Sequence, residues 1–435
     1  MTPLREKSPT VSMRSGGAPP ASLLLQPRQT TLWNWPKTAN APSAGLSVVD
    51  LYAGAGGLSL GFELAGNRVL AAVERDAWAG ATYAHNFPAT RLYNQEVRSL
   101  EPSFFEKYRG VDVVLGGPPC QGFSIAASNR RDRADARNAE VFVFVEACVR
   151  LKPRWIVLEN VPEIRRFMFK PETPLINAVN GLLEEANYVP FWFDVNAADF
   201  GVPQRRLRTI LLAGRDAPPD LQDWRTHRSP ETRERRKRGW VTAMEALSDL
   251  PAVSPREIEE GAFIGFDRRA TNSYQRALRG DAIGIFNHVP MRHTPRLIER
   301  FKRIPVGGNE LAAWEEHAPR RRGNGSERGI VYHQNHRRID PRSPAPTITA
   351  TFYSSFLHPT EHRNLTVREA ARLQSFPDAF RFLGKRTTLS EKLLRRKGLT
   401  EDLGLNQFNQ VGNAVPPQLA RLIAQALADA TRSAR

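Results

Sequence analysis

The strongest constraint on the fold is an alternation of short, β-rich apolar runs with helical patterns between residues 45 and 215. Neighbouring parallel strands need a crossover connection, which is usually a helix. The alternation therefore predicts an α/β fold with a mostly parallel sheet and helices on both faces, in which the loops after strand ends carry function. Strands are predicted at 46–52, 68–73, 111–115, 155–158 and 209–213, and helices near 77–85, 139–151 and 174–186.

The other segments differ from this region in composition. Residues 1–44 are rich in Pro, Ser and Arg and have no periodicity, which predicts a disordered N-terminal tail. Residues 216–404 contain arginine runs and few convincing strands, so they predict a second, smaller, basic domain, with a basic helical insertion near 389–397. Residues 405–435 form a C-terminal segment that ends in a predicted helix.

The balance of charges indicates the kind of partner. The chain has 62 Lys and Arg residues against 45 Asp and Glu residues, and its formal net charge is +17. Basic side chains that approach phosphates release condensed counterions, so this excess favours a nucleic acid as partner. On charge alone, the alternative is a solvated basic surface that only aids solubility.

Cysteine content and hydropathy indicate the compartment. The two cysteines, Cys120 and Cys148, are too few for a disulfide framework, which is typical of a reducing compartment. The sequence contains neither an apolar run long enough to span a bilayer nor the apolar core of a signal peptide. We therefore expect a cytoplasmic protein without a membrane partner.

One of the two cysteines lies in an unusual setting. Cys120 belongs to the run Gly-Gly-Pro-Pro-Cys-Gln at 116–121, directly after the predicted strand 111–115. Its two preceding prolines have fixed φ angles and would hold the thiol in place, which favours a nucleophile. Such a role requires surroundings that stabilise the thiolate, since a free thiol has a pKa of about 8.5. Cys148 lies in an apolar helical pattern and is interpreted as a buried structural residue.

A glycine-rich turn after the first strand indicates a ligand site. The run Asp-Leu-Tyr-Ala-Gly-Ala-Gly-Gly at 50–57 would let a ligand approach the backbone closely. Ser59 stands where a dinucleotide fingerprint needs its third glycine, which disfavours a nicotinamide cofactor but allows another nucleoside-like one. Glu74, after the second strand, could bind ribose hydroxyls, or it could be a solvent-facing strand end.

Two further runs place charged groups near strand ends. Glu159 and Asn160 directly follow the predicted strand 155–158, where a carboxyl could bind or protonate a ring nitrogen. The run 199–208 contains three arginines suited to gripping phosphates or a base carbonyl. Without a functional role, Glu159 and Asn160 would only cap a strand end, and the run 199–208 would be a solvated basic strand.

Taken together, these runs resemble the cytosine-5 DNA methyltransferase family, of the bacterial restriction-modification or orphan type. Further agreement comes from the order of the motifs and from four other elements. These are Asp-Ala-Arg-Asn at 135–138, Thr-Ile-Thr at 347–349, Arg-Asn-Leu-Thr-Val-Arg-Glu-Ala-Ala-Arg-Leu-Gln-Ser-Phe-Pro at 363–377 and Gly-Asn-Ala-Val-Pro-Pro at 412–417. The resemblance extends from about Val48 to the C-terminal helix.

The resemblance implies an architecture and a reaction. Residues 45–215 would form a Rossmann-like, S-adenosylmethionine-dependent catalytic domain, 216–404 a smaller target-recognition domain, and 405–435 a segment returning to the large domain. Duplex DNA would lie between the domains with the target cytosine flipped out. Cys120 would add to carbon 6 of that cytosine, which activates carbon 5 for methylation. The expected protein is a monomer that uses no metal; whether a cognate restriction endonuclease accompanies it stays open.

The resemblance also assigns roles to single residues, by motif position. The catalytic group is Cys120, Glu159, Arg206, Arg208 and Asn160; the DNA contacts are Gln121, Ser124 and Arg205; and the cofactor contacts are Tyr52, Ala53, Gly54, Gly57, Glu74, Glu96, Pro118, Asn413 and Val415. Two positions depart from the family pattern. Glu96 stands in Gln-Glu-Val where Gly-Asp-Ile is usual, and Tyr52 replaces a usual phenylalanine but keeps its aromatic ring.

Two alternative functions are compatible with much of this pattern. A tRNA cytosine-5 methyltransferase has the same fold, although the long basic segment 216–346 offers more recognition surface than such an enzyme needs. A catalytically silent DNA-binding regulator is the other alternative, and the presence of Cys120, Glu159 and Arg206 disfavours it. The recognition sequence cannot be read from the chain, because base readout depends on which side chains reach the groove.

Overall fold

The computed structural model describes residues 45–119, 139–170, 172–232, 234, 236–254, 258–313, 334–386, 389, 391–400 and 403–433. The predicted tail at 1–44 lies outside these residues, as do Cys120, Gln121, Ser124 and the run at 135–138.

A seven-stranded sheet forms the centre of the α/β region. Its strands are β1 (Ser47–Leu51), β2 (Arg68–Val73), β3 (Arg91–Tyr93), β4 (Val113–Gly116), β5 (Trp155–Asn160), β6 (Val189–Asn196) and β7 (Leu207–Gly214). The order across the sheet is β3-β2-β1-β4-β5-β7-β6. The pairings from β3 to β5 are parallel, and β7 is antiparallel to both β5 and β6. The predicted α/β fold with a mostly parallel sheet is confirmed.

Two details of the sheet differ from the sequence-based expectation. Strand β5 continues through Glu159 and Asn160, which were expected to follow the strand, because both residues pair with β7. The two edge strands, β3 and β6, are absent from the predicted set; β3 has only three residues, too few for a pattern, and β6 is the longer of the two. Strand β6 contains Pro190, a residue that strand patterns disfavour but that an edge position tolerates.

The helices have the following bounds. They are α1 (Gly57–Leu64), α2 (Ala77–Asn86), α3 (Pro102–Lys107), α4 (Ala139–Leu151), α5 (Leu175–Glu185), α6 (Ala243–Leu247), α7 (Ser273–Arg279), α8 (Pro295–Lys302), α9 (Phe352–Ser355), α10 (Val367–Leu373), α11 (Glu391–Arg396), α12 (Gln407–Asn413) and α13 (Pro417–Ser433). The predicted helices at 77–85, 139–151 and 174–186 correspond to α2, α4 and α5. Over the described ranges, none of the helices is long and apolar enough to cross a membrane.

Helices pack on both faces of the sheet, as predicted. On one face, α1 and α13 contribute Leu58, Phe62 and Leu419 to an apolar cluster with β1 and β4. On the other face, α3, α4 and α5 pack against the same strands. The two helices α1 and α13 approach closely: a Cβ placed on Gly61 would lie 2.4 Å from the Cβ of Ala420. This contact joins the glycine-rich turn at 53–57 to the last helix.

Outside the seven-stranded sheet, the strands of the described residues are short. Pairs of two- or three-residue strands are formed by Met168–Lys170 with Thr173–Pro174, Gln204–Arg205 with Ala345–Pro346, His227–Arg228 with Arg238–Gly239, Ile264–Gly265 with Gly284–Ile285, and Arg337–Arg338 with Phe356–Leu357. The few strands expected in the basic segment agree with this pattern.

A buried ion cluster holds part of this segment together. Arg372 of α10 donates from Nε to Asp378 (2.7 Å) and from Nη1 to Asp249 (2.8 Å), and all three side chains are inaccessible to solvent. Arg279 of α7 binds the same Asp249 carboxylate at 2.8 Å. Buried carboxylates tolerate desolvation only when they are paired with cations. The cluster therefore fixes α7, α10 and the residues after α6 relative to one another.

We expect Arg372→Leu to lower the free energy of unfolding by about 3–5 kcal/mol, because it leaves buried carboxylates without their central cation. Urea denaturation followed by tryptophan fluorescence measures the change. Arg276→Leu, at an exposed position of α7, is the matched control and should cost far less. Equal stability of the two variants would contradict a structural role for the cluster.

Candidate active site

The candidate site lies at the edge of the sheet where the parallel strands end. The carboxyl ends of β1, β2, β4 and β5 meet there, which is where open α/β sheets bind ligands. Strand β7 runs in the opposite direction, so its first residues, not its last, reach the same edge. The edge therefore collects the turn after β1, Glu74, the Pro118–Pro119 segment, Glu159 and Arg208.

An ion pair between Glu159 and Arg208 forms the centre of this edge. Arg208 Nε lies 2.7 Å from Glu159 Oε1, and both side chains are only 11% exposed. The register of the antiparallel pair places Ile210 opposite Glu159, so the start of β7 extends just past the end of β5. A charge-assisted bond at this distance fixes the orientation of the carboxylate. The other oxygen, Oε2, faces Gly117: a Cβ built on that glycine would lie 3.7 Å from it.

Asn160 contacts the segment that leads into Cys120. Its Nδ2 atom donates to the carbonyl of Pro118 at 3.4 Å, and its Oδ1 atom accepts from the N–H of Val161 at 2.7 Å. These bonds tie the end of β5 to the residue two positions before Cys120. The proposed roles of Cys120, Gln121 and Ser124 stay predictions, because these residues lie outside the described part of the chain.

Arg206 occupies a different environment from Arg208. Its side chain is buried, and it donates to the carbonyls of Ile348 (2.9 Å), Ala414 (3.1 Å) and Gly412 (3.2 Å). Within the described residues, its Nε atom has no hydrogen-bond partner. Burial, reinforced by the nearby Arg208, lowers the pKa of the guanidinium. These contacts suit a residue that holds the site together better than one that touches the base.

Two buried glutamines were missed by the sequence reasoning. Gln204 accepts from the N–H of Ile348 at 2.7 Å and donates to Gln374 Oε1 at 2.9 Å. Gln374 in turn donates to the carbonyl of Val411 at 2.8 Å. A buried amide satisfies both a donor and an acceptor, which suits the joining of chain segments. Gln204 lies in the run 199–208 and Gln374 in the run 363–377, so their place in these motifs could have indicated them. Arg205, which follows Gln204 directly in the sequence, has an exposed side chain.

The turn after β1 and Glu74 form a compact pocket wall. Gly54 and Gly56 have φ angles of +56° and +96°, a region that favours glycine. The Glu74 carboxylate accepts from the N–H of Gly54 (2.8 Å) and from that of Asp76 (2.7 Å). Burial raises the pKa of Glu74, and the two N–H bonds oppose that rise. Each carboxylate oxygen keeps a free acceptor site for a ribose hydroxyl, so this wall fits a nucleoside cofactor.

Tyr52 and Glu96 are the two residues predicted to contact an adenine ring. Tyr52 donates its hydroxyl to Glu140 Oε2 at 2.7 Å, and burial, followed by this bond, raises the pKa of the phenol. Glu96 is exposed and lies 3.4 Å from Arg75 and 3.7 Å from Arg98. The aromatic ring predicted to contact adenine thus directly follows β1, and the predicted carboxylate follows β3.

The segment after α12 contacts the start of α1, although the two are far apart in the sequence. A Cβ on Gly57 would lie 2.2 Å from the carbonyl oxygen of Val415, so only glycine fits at this contact. Asn413, at the end of α12, has an exposed side chain. Ala53 donates its N–H to the carbonyl of Val73 at 3.0 Å, which joins the turn to β2.

Asp50 lies beneath the turn and was not singled out from the sequence. It is fully buried and accepts from the hydroxyl of Ser59 at 2.6 Å, and that hydroxyl also contacts Tyr83 at 2.7 Å. Burial raises the pKa of Asp50 to about 7, against the Ser59 bond. At the position where a dinucleotide fingerprint needs glycine, Ser59 therefore connects Asp50 and Tyr83 by hydrogen bonds.

Comparison with known proteins places this geometry in a family. Residues 46–429 match the model of the C-5 cytosine-specific DNA methylases. The type II methyltransferase M.DdeI of Desulfomicrobium norvegicum is 37% identical over 383 residues, which cover 87% of this chain and 88% of the relative. The type II methyltransferase M1.HphI of Haemophilus parahaemolyticus is 32% identical over 388 residues, 88% and 86% of the two chains.

A solved structure agrees with the fold. The crystal structure of a candidate DNA modification methyltransferase encoded within an E. coli prophage superposes with a TM-score of 0.66 at 26% identity, covering 89% of this chain and all of that one. The match to the family model spans the sheet, the turn after β1 and the closing segment after α12. The chain belongs to the C-5 cytosine-specific DNA methylase family and is a DNA cytosine-5 methyltransferase.

Proposed function

We propose that this chain transfers the methyl group of S-adenosylmethionine to carbon 5 of a flipped-out cytosine in a specific duplex DNA sequence, through a covalent Cys120 adduct at carbon 6. The observation that carries this proposal is the Glu159–Arg208 pair at the sheet edge, beside the Gly117–Pro118 segment that leads into Cys120. An acid and a cation beside the segment that leads into the predicted nucleophile match what the reaction needs.

The proposed reaction needs covalent help from the protein because carbon 5 of cytosine is a poor nucleophile. The Cys120 thiolate forms a bond to carbon 6, which saturates the 5,6 bond and makes carbon 5 enamine-like. Glu159 contacts ring N3 and the amino edge and stabilises the charge that develops there. Carbon 5 then takes the methyl group from a sulfonium. Carbon 5 then loses its proton to water, the electrons of that bond re-form the 5,6 double bond, and the carbon 6–sulfur bond breaks to release 5-methylcytosine and the Cys120 thiolate.

The other site residues have supporting roles in this scheme. Arg208 orients the Glu159 carboxylate and keeps N–H groups for the carbonyl oxygen of the base. Asn160 holds Pro118 and so the approach to Cys120. Arg206, bound to three backbone carbonyls, acts as a positioning residue and not by contact with the base. Arg205, Gln121 and Ser124 contact DNA around the flipped base.

The cofactor belongs in the pocket at the turn after β1. The family consists of S-adenosylmethionine-dependent methyltransferases. The carboxylate of the buried Glu74 is held by two backbone N–H groups, and this supports a ribose contact in this chain. Tyr52 provides the ring for adenine and Glu96 the acceptor for its amino group. Ala53, Gly54, Gly57, Pro118, Asn413 and Val415 complete the proposed set. When bound, the cofactor supplies an electrophilic methyl group, and the scheme uses no metal.

We also propose the domain division and the biological setting. Residues 45–215 form the catalytic domain, 216–404 the target-recognition domain, and 405–435 return to the catalytic domain; the packing of α13 on α1 supports the last point.

The chain acts on duplex DNA as a monomer in a bacterial cytoplasm. The relatives described as type II methyltransferases support the proposal that this chain belongs to a restriction-modification system. The alternatives, a tRNA enzyme and a silent regulator, have no specific support, since the matched family model describes DNA methylases.

We expect Cys120→Ala to abolish methylation, because the nucleophile is lost. Each variant is expressed in a host without its own cytosine-5 methylation, and bisulfite sequencing of the host DNA reports the modified cytosines and their sequence context. Cys148→Ala is the matched control. Cys148 is buried in α4, and burial raises its thiol pKa far above the usual value, so it stays protonated. Methylation by Cys120→Ala at the wild-type level would refute the mechanism.

A duplex with 5-fluorocytosine at the target position should trap the adduct. Fluorine cannot leave carbon 5 as a proton does, so the Cys120–carbon 6 bond persists after methyl transfer. A denaturing gel of the wild-type protein with this duplex and S-adenosylmethionine should show a protein–DNA band. Ordinary cytosine and Cys120→Ala serve as controls without a band. Wild-type activity on cytosine without trapping on 5-fluorocytosine would overturn the covalent step.

Arg208 and Arg205 should affect different steps. We expect Arg208→Gln to slow single-turnover methylation at saturating DNA by about 10²–10³, the cost of removing a preorganised charge from a reaction centre. Arg205→Gln, the exposed neighbour, should weaken DNA binding and reduce its salt dependence by about one ion, with little effect on the saturated rate. Filter binding at several salt concentrations measures the second effect. The same kinetic profile for both variants would contradict the separate roles.

A further inference from the structure

We infer that Glu140 and Arg98 are positioning residues for cofactor binding, which act by holding the ring of Tyr52 in place for adenine. The inference rests on the proposed cofactor site and extends it to two side chains that no sequence motif marks. Glu140 lies in the first turn of α4, 88 residues along the chain from Tyr52. Arg98 follows β3, near the proposed adenine acceptor Glu96.

The backbone of Tyr52 needs outside support. Its φ angle is +61°, in the left-handed region that bulky side chains rarely occupy. Residues in such sparsely populated conformations persist only where their surroundings fix them, and they cluster at ligand sites. The turn must reverse here, because β1 ends at Leu51 and the glycines follow directly. A side-chain tether is therefore expected at this position.

Glu140 provides that tether. Its Oε2 atom accepts the Tyr52 hydroxyl at 2.7 Å, and its backbone carbonyl lies 3.3 Å from the same hydroxyl. Its side chain is only 14% exposed, so water competes little for the bond. A phenylalanine, usual in the family at this position, could not make this contact. The tether is thus a property of this chain and not of the shared motif.

Arg98 joins the tether to the other wall of the proposed adenine site. Its Nη2 atom bonds to Glu140 Oε1, and its Nε atom lies 3.7 Å from Glu96 Oε2. One guanidinium therefore lies between the carboxylate that holds Tyr52 and the carboxylate proposed for the adenine amino group. Arg98 and Glu96 are 45% and 48% exposed, so this part of the network is screened by solvent and weaker than the Tyr52–Glu140 bond.

The test measures cofactor binding without DNA or catalysis. Isothermal titration with S-adenosylhomocysteine is done on the wild type, Tyr52→Phe, Glu140→Ala and the double variant. We expect each single variant to bind about 3–10-fold more weakly, the net effect of one lost hydrogen bond. The double variant should bind no more weakly than Tyr52→Phe, because both changes remove the same bond. Glu140→Gln keeps an acceptor and should restore part of the affinity.

Matched controls separate this role from a purely structural one. Tyr108→Phe removes another partly buried phenol hydroxyl, and Glu146→Ala changes an exposed acid on the same helix; both should bind like the wild type. Arg98→Ala should weaken binding by about twofold, as expected for an exposed ion pair, and should have no effect when Glu140 is already alanine. Methylthioadenosine, which lacks the amino-acid part, should show the same ratios as S-adenosylhomocysteine.

The outcomes are distinguishable. Additive losses in the double variant, or unchanged affinity in both single variants while the wild type binds, would overturn the inference and leave the proposed function intact. A lower melting temperature of Glu140→Ala with unchanged affinity would also overturn it, because Glu140 would then only stabilise α4. No binding by the wild type would overturn both the proposed cofactor site and this inference.

Discussion

The site depends on one feature of strand pairing, the antiparallel alignment of β7 with β5. In a purely parallel sheet, the first residues of every strand lie at the edge opposite the ligand site. Because β7 is antiparallel to β5, Arg208 lies near the start of β7 and Glu159 near the end of β5, and the Arg208 Nε and Glu159 Oε1 atoms are 2.7 Å apart. The residues just before β7 then reach the segments at 345–348 and 412–414 through Gln204 and Arg206. A single reversed strand thus joins the acid, its cation and two distant segments.

The sequence predicted what local patterns determine. Apolar runs and helical periodicity identified five strands of the sheet and three of its helices with small boundary errors, because burial of these elements repeats at the period of the strand or helix. The bounds of α4, Ala139–Leu151, agree with the prediction, whereas β5 extends to Asn160 because pairing with β7 continues it. The family assignment required motifs, and the comparisons confirmed it.

What the sequence could not predict are differences between residues of the same type. Arg206 and Arg208 are two positions apart in one motif, yet one binds backbone carbonyls in the interior and the other binds Glu159. The burial of Arg206 depends on segments 142 to 208 residues away, which no local pattern contains. The same holds for Glu140, whose partner Tyr52 lies on another element. The roles of Cys120, Gln121 and Ser124 still rest on motif position alone.

The contact of Gly57 with Val415 has a consequence for how the protein matures. The turn proposed to bind the cofactor follows the first strand of the sheet. Gly57 at its end contacts the carbonyl of Val415, and Gly61 of the following helix α1 packs on Ala420. A growing chain therefore carries the glycine-rich turn for several hundred residues before these contacts exist. Cofactor affinity should thus emerge late in synthesis, once residues beyond 420 have left the ribosome. A chain truncated before Val415 would lack this contact beside the turn.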